Sequence, residues 1–295
     1  MSGTKMTAIL DEHFSSAQVQ RDPQTLEVYG QDWTRLRPPA PSAVVFPKST
    51  DEVVALVQLA RREGFKLVPS GGRTGLSGGA VAAAGEVVVS FEKMNRILDF
   101  SPSDRLVRCQ AGVVTEQLQT FAEENGLYYP VDFASSGSSQ IGGNISTNAG
   151  GIKVIRYGMT RDWVAGLKLV TGTGELLDLN RGLVKNNAGY DLRQLVIGAE
   201  GTLGVVVEAT LSLARPPENP AVMVLGVPDM ASIMSLLGAF QDRIELSAFE
   251  FFSELALSKV VQHQGLQRPF ATATPYYALL EFEQPDERAM ETAMT

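Results

Sequence analysis

Three short stretches of this chain combine glycines with hydroxyl or carboxylate side chains at a density that suits the binding of a phosphorylated ligand. The first runs Pro69-Ser70-Gly71-Gly72-Arg73-Thr74-Gly75-Leu76-Ser77-Gly78-Gly79 and holds five glycines. Such a backbone reaches left-handed conformations freely and presents several N–H groups to one concave space, which suits a diphosphate. No lysine follows these glycines, so the loop is not a P-loop. A dinucleotide fingerprint of the Rossmann kind needs a helix directly afterwards. Here the chain passes through small residues to Gly85-Glu86-Val87-Val88-Val89-Ser90-Phe91, which reads as a strand. The loop therefore joins two strands and holds any anion by backbone amides and hydroxyls.

The second stretch extends from Pro130 to Gly151, about 22 residues with few large apolar side chains. It cannot pack a core of its own, so a bound polar ligand is the economical means of ordering it. Ile141 and Ile145, spaced i, i+4, predict one helical turn resting on a core. The third stretch is Gly198-Ala199-Glu200-Gly201-Thr202-Leu203-Gly204, in which Glu200 is either a turn residue or an acceptor for a ribose hydroxyl.

The elements that must carry these loops follow from periodicity. Residues 1 to about 40 read as an irregular arm closed by an extended Arg37-Pro38-Pro39-Ala40-Pro41 connector, with His13 at the surface. Ala43 to Pro47 is a short strand, and Ser49 with Glu52 forms a capping box for a helix whose apolar face is Val53, Val54, Val57 and Ala60. Gly64 ends that helix, and Phe65 to Val68 is a strand leading into the first glycine loop, so strand, helix and strand form a crossover unit. Arg105 to Gln110 is a strand; Thr115 caps a helix with Leu118, Phe121 and Ala122 inward. Strands at 163–170 and 175–179 flank a Thr-Gly-Thr-Gly hairpin turn, Asp191 caps a short helix carrying Leu192, Leu195 and Val196, and the third stretch leads into a strand from Val205 to Leu213.

Arg215-Pro216-Pro217-Glu218-Asn219-Pro220 interrupts both periodicities and marks a boundary. Beyond it come a strand (Val222–Val227), a helix capped by Asp229 with Ile233, Leu236, Leu237 and Phe240 inward, a strand (248–252), a helix (255–262) and a strand (276–282). The last stretch, Asp286 to Thr295, begins as a helix without a partner, which reads as a domain cut short. The organisation is thus an arm at 1–40, a first domain at 41–215 and the start of a second at 216–295.

Composition narrows the class. With 25 Lys and Arg against 33 Asp and Glu, the net charge of −8 disfavours nucleic acid or an anionic membrane as partner. The single cysteine, Cys109, permits no internal disulfide and sits in an alternating apolar run as a buried filler. No run approaches the ~18 apolar residues of a membrane span, and the N-terminus lacks the apolar core of a signal peptide. The expected location is cytoplasmic.

These motifs resemble, in order and spacing, the FAD-binding domain of the vanillyl-alcohol oxidase/p-cresol methylhydroxylase type. Within it they are similar to the D-2-hydroxy-acid dehydrogenases that act on D-lactate, glycolate or D-2-hydroxyglutarate. The resemblance runs from about Ala43 to Leu213. It implies an α+β fold: a two-lobed flavin domain followed by a cap domain with an antiparallel sheet, here incomplete. It also implies that Pro69, Ser70, Gly71, Gly72, Arg73, Thr74, Gly75, Gly78 and Gly79 surround the FAD pyrophosphate. Ser138, Ser139, Gly142, Gly143, Asn144 and Thr147 would line the path to the isoalloxazine, with Pro130 and Asp132 at its start. Asn148, Gly150 and Gly151 would approach the ring, and Glu200, Gly201 and Val206 the adenosine end.

Relatives that tether FAD covalently often place histidine directly after the first Gly-Gly pair, or cysteine in the second loop. This chain has Arg73 and no cysteine from 130 to 151, so dissociable FAD is expected. The resemblance further implies hydride transfer from a small 2-hydroxy acid to flavin N5, with electrons passing to a protein or quinone acceptor. In the family the base is a histidine, often near groups that hold a divalent metal, beyond the point where this sequence stops. No catalytic residue and no metal ligand is therefore assigned, and neither His13 nor His263 lies in a matching motif. Lys153, Arg156 and Arg161 are either cations near the flavin or solvated surface charges; Glu250 either faces a cleft or makes a structural hydrogen bond. The alternative to a dehydrogenase is a flavin-binding subunit or fragment with no substrate chemistry of its own.

Overall fold

The N-terminal segment is more regular than its sequence suggests. In a computed structural model, which describes residues 3–183 and 185–283, it forms α1 (Gly3–His13), β1 (Val19–Gln20) and α2 (Pro23–Tyr29). Met6, Leu10 and Phe14, spaced by four, are all buried, a helical stripe too short to stand out from its polar neighbours. Asp22 caps α2 by accepting the Thr25 N–H, with Pro23 at the first helical position. The arm is therefore part of the first domain's core: Leu26 and Tyr29 pack on Val44, Phe46, Ala82 and Val88.

The crossover unit is present with one correction. β2 (Ala43–Val45), α3 (Thr50–Glu63) and β3 (Leu67–Ser70) follow in sequence, but β4 (Val87–Ser90) inserts between the two strands and pairs in parallel with both. The sheet order is β1-β2-β4-β3. β4 wins the central place because Val87, Val88, Val89 and Ser90 are all buried, the continuous pattern of a strand covered on both faces. The α3 cap is half the expected box. Ser49 accepts the Glu52 N–H, but the Glu52 carboxylate accepts from Lys48 N–H and Gln18 Nε2 instead of Ser49. Leu56 and Leu59 join Val53, Val57 and Ala60 inward, while Val54 is only part-buried.

A second sheet lies in the same unit. β5 (Ile97–Ser101) and β6 (Leu106–Gln110) come first, then α4 (Thr115–Glu124), α5 (Ile141–Thr147), α6 (Val154–Tyr157) and α7 (Thr160–Trp163). β7 (Val164–Val170), β8 (Leu176–Arg181), α8 (Arg193–Val196) and β9 (Val205–Ser212) complete it, in the antiparallel order β5-β6-β9-β7-β8. Thr115 does not cap α4: it is the first helical residue, and its hydroxyl is engaged elsewhere. In α8 only Val196 is buried; Leu192 and Leu195 are exposed, and Asp191 holds the Arg193 N–H and guanidinium. Cys109 is fully buried in β6, and burial first, the Glu208 charge second, push its thiol up to about 12.

The chain divides into two compact units. One contains Met1–Tyr129, Phe133–Ala149 and Thr160–Ala214; the other contains Pro130–Asp132, Gly150–Met159 and the chain from Arg215 onward. The second unit comprises α6 and an antiparallel sheet of β10 (Pro220–Val227), β12 (Tyr276–Glu283) and β11 (Leu246–Ser253), with β12 central. α9 (Met230–Gln241), capped by Asp229 on the Ser232 N–H, contributes Phe240 to its core, beside Leu246, Leu280 and Phe282. The expected helix from Asp286 lies outside the described residues.

α10 (Glu254–Gln264) is tied to the sheet by one carboxylate. Glu254 accepts from Arg268 Nη2 at 2.7 Å, Ser258 Oγ at 2.7 Å and the Tyr277 hydroxyl at 2.7 Å. Tyr277 itself is stacked between Phe252 and Phe270. These bonds, led by Arg268, hold the Glu254 carboxyl down at about 2. A carboxyl depressed on folding contributes stability that is present above its ordinary value near 4.5 and is lost as pH falls towards 2. Glu254→Gln is accordingly expected to flatten the loss of stability across that window, measured by urea unfolding at stepped pH. An acid limb identical to that of the unmodified chain would show that this carboxylate is not coupled to folding.

Candidate cofactor site

The three glycine-rich stretches, far apart in sequence, meet in the first unit through backbone contacts. A Cβ built on Gly72 would lie 2.0 Å from the Ser138 carbonyl oxygen and 2.8 Å from Ser139 Cα. No real Cβ tolerates that approach, so glycine is required for the first loop to lie against the second. The third stretch closes on both. Glu200, at φ +50°, donates its N–H to Ser146 O at 2.8 Å, and Gly198 donates to Ile145 O at 3.0 Å. The Glu200 carboxylate accepts weakly from Ser77 Oγ at 3.4 Å and would lie 2.8 Å from a Cβ on Gly79. Gly201 lies against Pro69.

The first loop is held from outside by residues the motif reading passed over. Asp32, buried in the segment read as an irregular arm, accepts the Gly78 N–H at 2.7 Å, and Trp33 N–H donates to Gly75 O at 3.1 Å. Arg73 sits at φ +60°, with its guanidinium 3.2 Å from Glu92, 4.3 Å over the Tyr29 ring, and donating to Gly71 O at 3.3 Å. The Tyr29 hydroxyl donates to Glu92 at 2.7 Å, and burial first, that bond second, push its pKa up to about 12. Arg73 is thus committed to Glu92 and Tyr29. No spacing in the sequence joins residues 29, 32 and 92 to this loop; Asp22-Pro23, a helix start, was the only signal that their segment is ordered.

The second stretch is held in part by its own polar side chains. Thr115 Oγ1 and Ser139 Oγ share a hydrogen bond of 2.7 Å, and Asn144 Nδ2 donates to Thr115 Oγ1 at 2.7 Å, all three buried. Gln140 bridges Val114, and Ile141 and Ile145 are fully buried, as their spacing requires. Part of this stretch thus finds partners within the chain, because Thr115 supplies the hydroxyl that Ser139 and Asn144 need. Thr147 is exposed and back-bonds to Gly143 O; Asn148, at φ +48°, ends α5 and accepts the Arg161 N–H. Gly142 packs against Ala111, and Val206 is buried in β9 opposite Leu169.

Four of the expected residues belong to the second unit. Gly151 backs onto Asp132, whose carbonyl accepts the Ile152 N–H; Pro130 is buried, and Gly150 abuts Val154. In that unit Lys153 pairs with Glu281 at 3.1 Å, which also accepts from Ser247, and Arg156 pairs with Glu283 at 2.8 Å and Glu245 at 3.4 Å. Arg161, in the first unit, bonds the Gln194 side chain and Ile197 O. All three cations are thus engaged by protein groups, and the solvated reading is set aside. Glu250 is exposed on β11 opposite Leu279. His13 and His263 are exposed on α1 and α10. Among the described residues no three His, Cys, Asp or Glu side chains cluster as metal ligands.

Among the described residues the site offers mainly backbone and small polar groups. It fits a dinucleotide: the side-chain position of Gly143 has no protein atom within 4 Å, that of Gly75 has nothing nearer than 3.9 Å, and that of Gly71 meets Gln140 only at an ordinary contact distance of 3.6 Å. The family description "FAD binding domain" matches residues 41–180, and "FAD linked oxidases, C-terminal domain" matches 216–295. The chain belongs to the FAD-linked oxidase family. Its relatives include the D-2-hydroxyglutarate dehydrogenase of Stutzerimonas stutzeri (strain A1501), 63% identical over 276 residues, 94% of this chain and 60% of that protein. The enzyme of the same name from Xanthomonas citri pv. viticola is 53% identical, covering 97% of this chain and 60% of the relative. The mitochondrial one of Bos taurus is 36% identical, covering 92% and 50%. An alkyldihydroxyacetonephosphate synthase structure superposes over 100% of this chain and 58% of its own, with a TM-score of 0.81 at 21% identity, and so shares the fold. The α+β architecture of a flavin domain followed by an antiparallel-sheet domain is that of the family.

Gly72→Ala is expected to destabilise the chain by about 1–3 kcal/mol, because backbone has no room to yield, whereas Gly71→Ala, with its nearest protein atom at 3.6 Å, stays within about 0.5 kcal/mol. Urea unfolding of both variants without flavin measures the contrast; equal losses would show that the two loops are not held in backbone contact.

Proposed function

We propose that this chain is the flavin-binding portion of an FAD-dependent dehydrogenase that oxidises a D-2-hydroxy acid to the 2-oxo acid, with D-2-hydroxyglutarate the foremost substrate. The observation that carries this reading is the 63% identity to the D-2-hydroxyglutarate dehydrogenase of S. stutzeri over 94% of the chain. D-Lactate and glycolate remain the other candidates. The chain spans about 60% of the length of that relative, and the activity proposed is that of the whole protein.

In this reading Ser70, Gly71, Gly72, Thr74, Gly75, Gly78 and Gly79 of the first loop, with Gly142, Gly143 and Thr147 of the second, hold FAD. Arg73, Ser139 and Asn144 act indirectly by fixing the loops, since their side chains are engaged by Glu92, Tyr29 and Thr115. Pro69, Glu200 and Gly201 brace the first loop, and Asn148 fixes the end of α5. When bound, FAD supplies the acceptor for the hydride leaving the alcohol carbon. Attachment is non-covalent: arginine follows Gly71-Gly72, and Cys109 is buried with a raised pKa, so no thiolate is available. Electrons pass to a protein or quinone acceptor, and a cytoplasmic location accords with the unpaired, buried cysteine.

A second reading, a flavin-binding portion without substrate chemistry of its own, draws on the same 60% coverage and on the exposed positions of both histidines. Anaerobic titration of the FAD-loaded chain with D-2-hydroxyglutarate, D-lactate and glycolate separates the two. Bleaching of the visible flavin band by D-2-hydroxyglutarate ahead of the others is expected under the first; a loaded flavin untouched by all three selects the second. Heat or acid precipitation should release the flavin into the supernatant, and colour retained in the pellet would overturn the non-covalent assignment.

A further inference from the structure

Two polar side chains of the first unit are buried beside one glycine and bond to nothing in the protein. Ser70 is 1% exposed and Gln140 5%, and neither Ser70 Oγ nor Gln140 Oε1 has a hydrogen-bond partner. Ser70 ends β3 and directly precedes Gly71. Gln140 precedes α5 in the second loop, and its Cβ and Oε1 would lie 3.6 Å from a Cβ on Gly71. The same Cβ would lie 3.7 Å from Gly143 Cα. The Gly71 side-chain position is thus bounded by the Gly143 backbone and the unpaired Gln140 carboxamide oxygen, and the second unpaired atom, Ser70 Oγ, belongs to the residue directly before Gly71.

Buried polar groups are nearly always bonded, and leaving one unmade costs about 1–3 kcal/mol. Two on facing loops make a costly arrangement with no return inside the chain. The glycines nearby are equally unexplained by packing. Gly72 and Gly142 are required because Ser138 O would lie 2.0 Å, and Ala111 Cβ 2.7 Å, from their side-chain positions. Gly71 and Gly143 meet no such contact and are not left-handed. Ser139 and Asn144 show the contrast among polar side chains, since Thr115 satisfies both.

We propose that Ser70 and Gln140 are an anchoring pair for the cofactor, hydrogen-bonded to a hydroxyl- or N–H-bearing part of FAD and not to its diphosphate. This rests on the flavoprotein reading above. A carboxamide oxygen has no hydrogen to give and would repel a phosphate oxygen; a ribose or ribityl hydroxyl, or a ring N–H, satisfies it, and the serine hydroxyl gives or accepts as its partner requires. Gln140 was absent from the expected cofactor residues because no spacing rule singles it out. Its unpaired atom does.

The pair makes a signed prediction that a merely structural role does not. Ser70→Ala and Gln140→Met remove unpaired groups from the apo protein, so the apo melting temperature stays level or rises, while the FAD dissociation constant, read by quenching of free-flavin fluorescence, weakens about three- to tenfold each. Gln140→Glu, which keeps an acceptor in place, binds FAD more tightly than Gln140→Met if the partner is a hydroxyl or N–H. Weaker binding than Gln140→Met identifies a phosphate and overturns the assignment. Variants that melt lower yet bind FAD like the unmodified chain overturn the pairing alone. A folded, unmodified chain that takes up no FAD overturns the flavoprotein reading together with it.

Discussion

The first unit depends on one close approach: the Gly72 backbone lies against the Ser138 carbonyl, where even a methyl group has no room. Loop-to-loop contact of this kind is set by backbone sterics and does not require a large apolar interface. It lets two segments some 66 positions apart, from residue 72 to residue 138, form one surface without filling it with side chains. Small residues are the means, and the open space beside Gly143 is the result. A dinucleotide is long, polar and only partly flat, and a surface of N–H groups and hydroxyls with few side chains in the way matches it.

Such a surface is weak on its own, so the surrounding structure reinforces it with paired charges. Asp32 holds the Gly78 N–H, and the Tyr29, Glu92 and Arg73 triad clamps the turn at Arg73, whose positive φ is a conformation a long side chain adopts only when held. Behind the second loop, Thr115 replaces the usual helix cap with a hydroxyl shared between Ser139 and Asn144. A helix start without its side-chain cap forgoes roughly 1 kcal/mol, and here the hydroxyl works instead to order a stretch that has little apolar surface.

The second unit draws three residues, 130–132, and ten more, 150–159, out of the middle of the first. Lys153 and Arg156 bind that excursion to Glu281 and Glu283 on the central strand of its sheet. A domain boundary drawn only at the proline-rich stretch 215–220 therefore omits a piece of the second unit, because contiguity in sequence and contiguity in packing differ wherever a loop carries charges that match another sheet.

Much of the fold was legible in local pattern. The helices at Thr50 and Met230, the hairpin of β7 and β8, the buried Ile141 and Ile145 and the buried Cys109 follow from period, cap and turn chemistry, which act over a few residues. The glycine motifs likewise pointed to a diphosphate, since the residue types that let a backbone meet one are few, and their order and spacing carried the resemblance to a flavin domain. Only the tertiary structure placed β4 between β2 and β3, turned the supposed arm into part of the core, spent Arg73 on Glu92, and left Ser70 and Gln140 unpaired. Those outcomes depend on which distant groups compete for the same hydrogen bond or the same central strand position, and that competition is decided by proximity in space, which no local periodicity encodes.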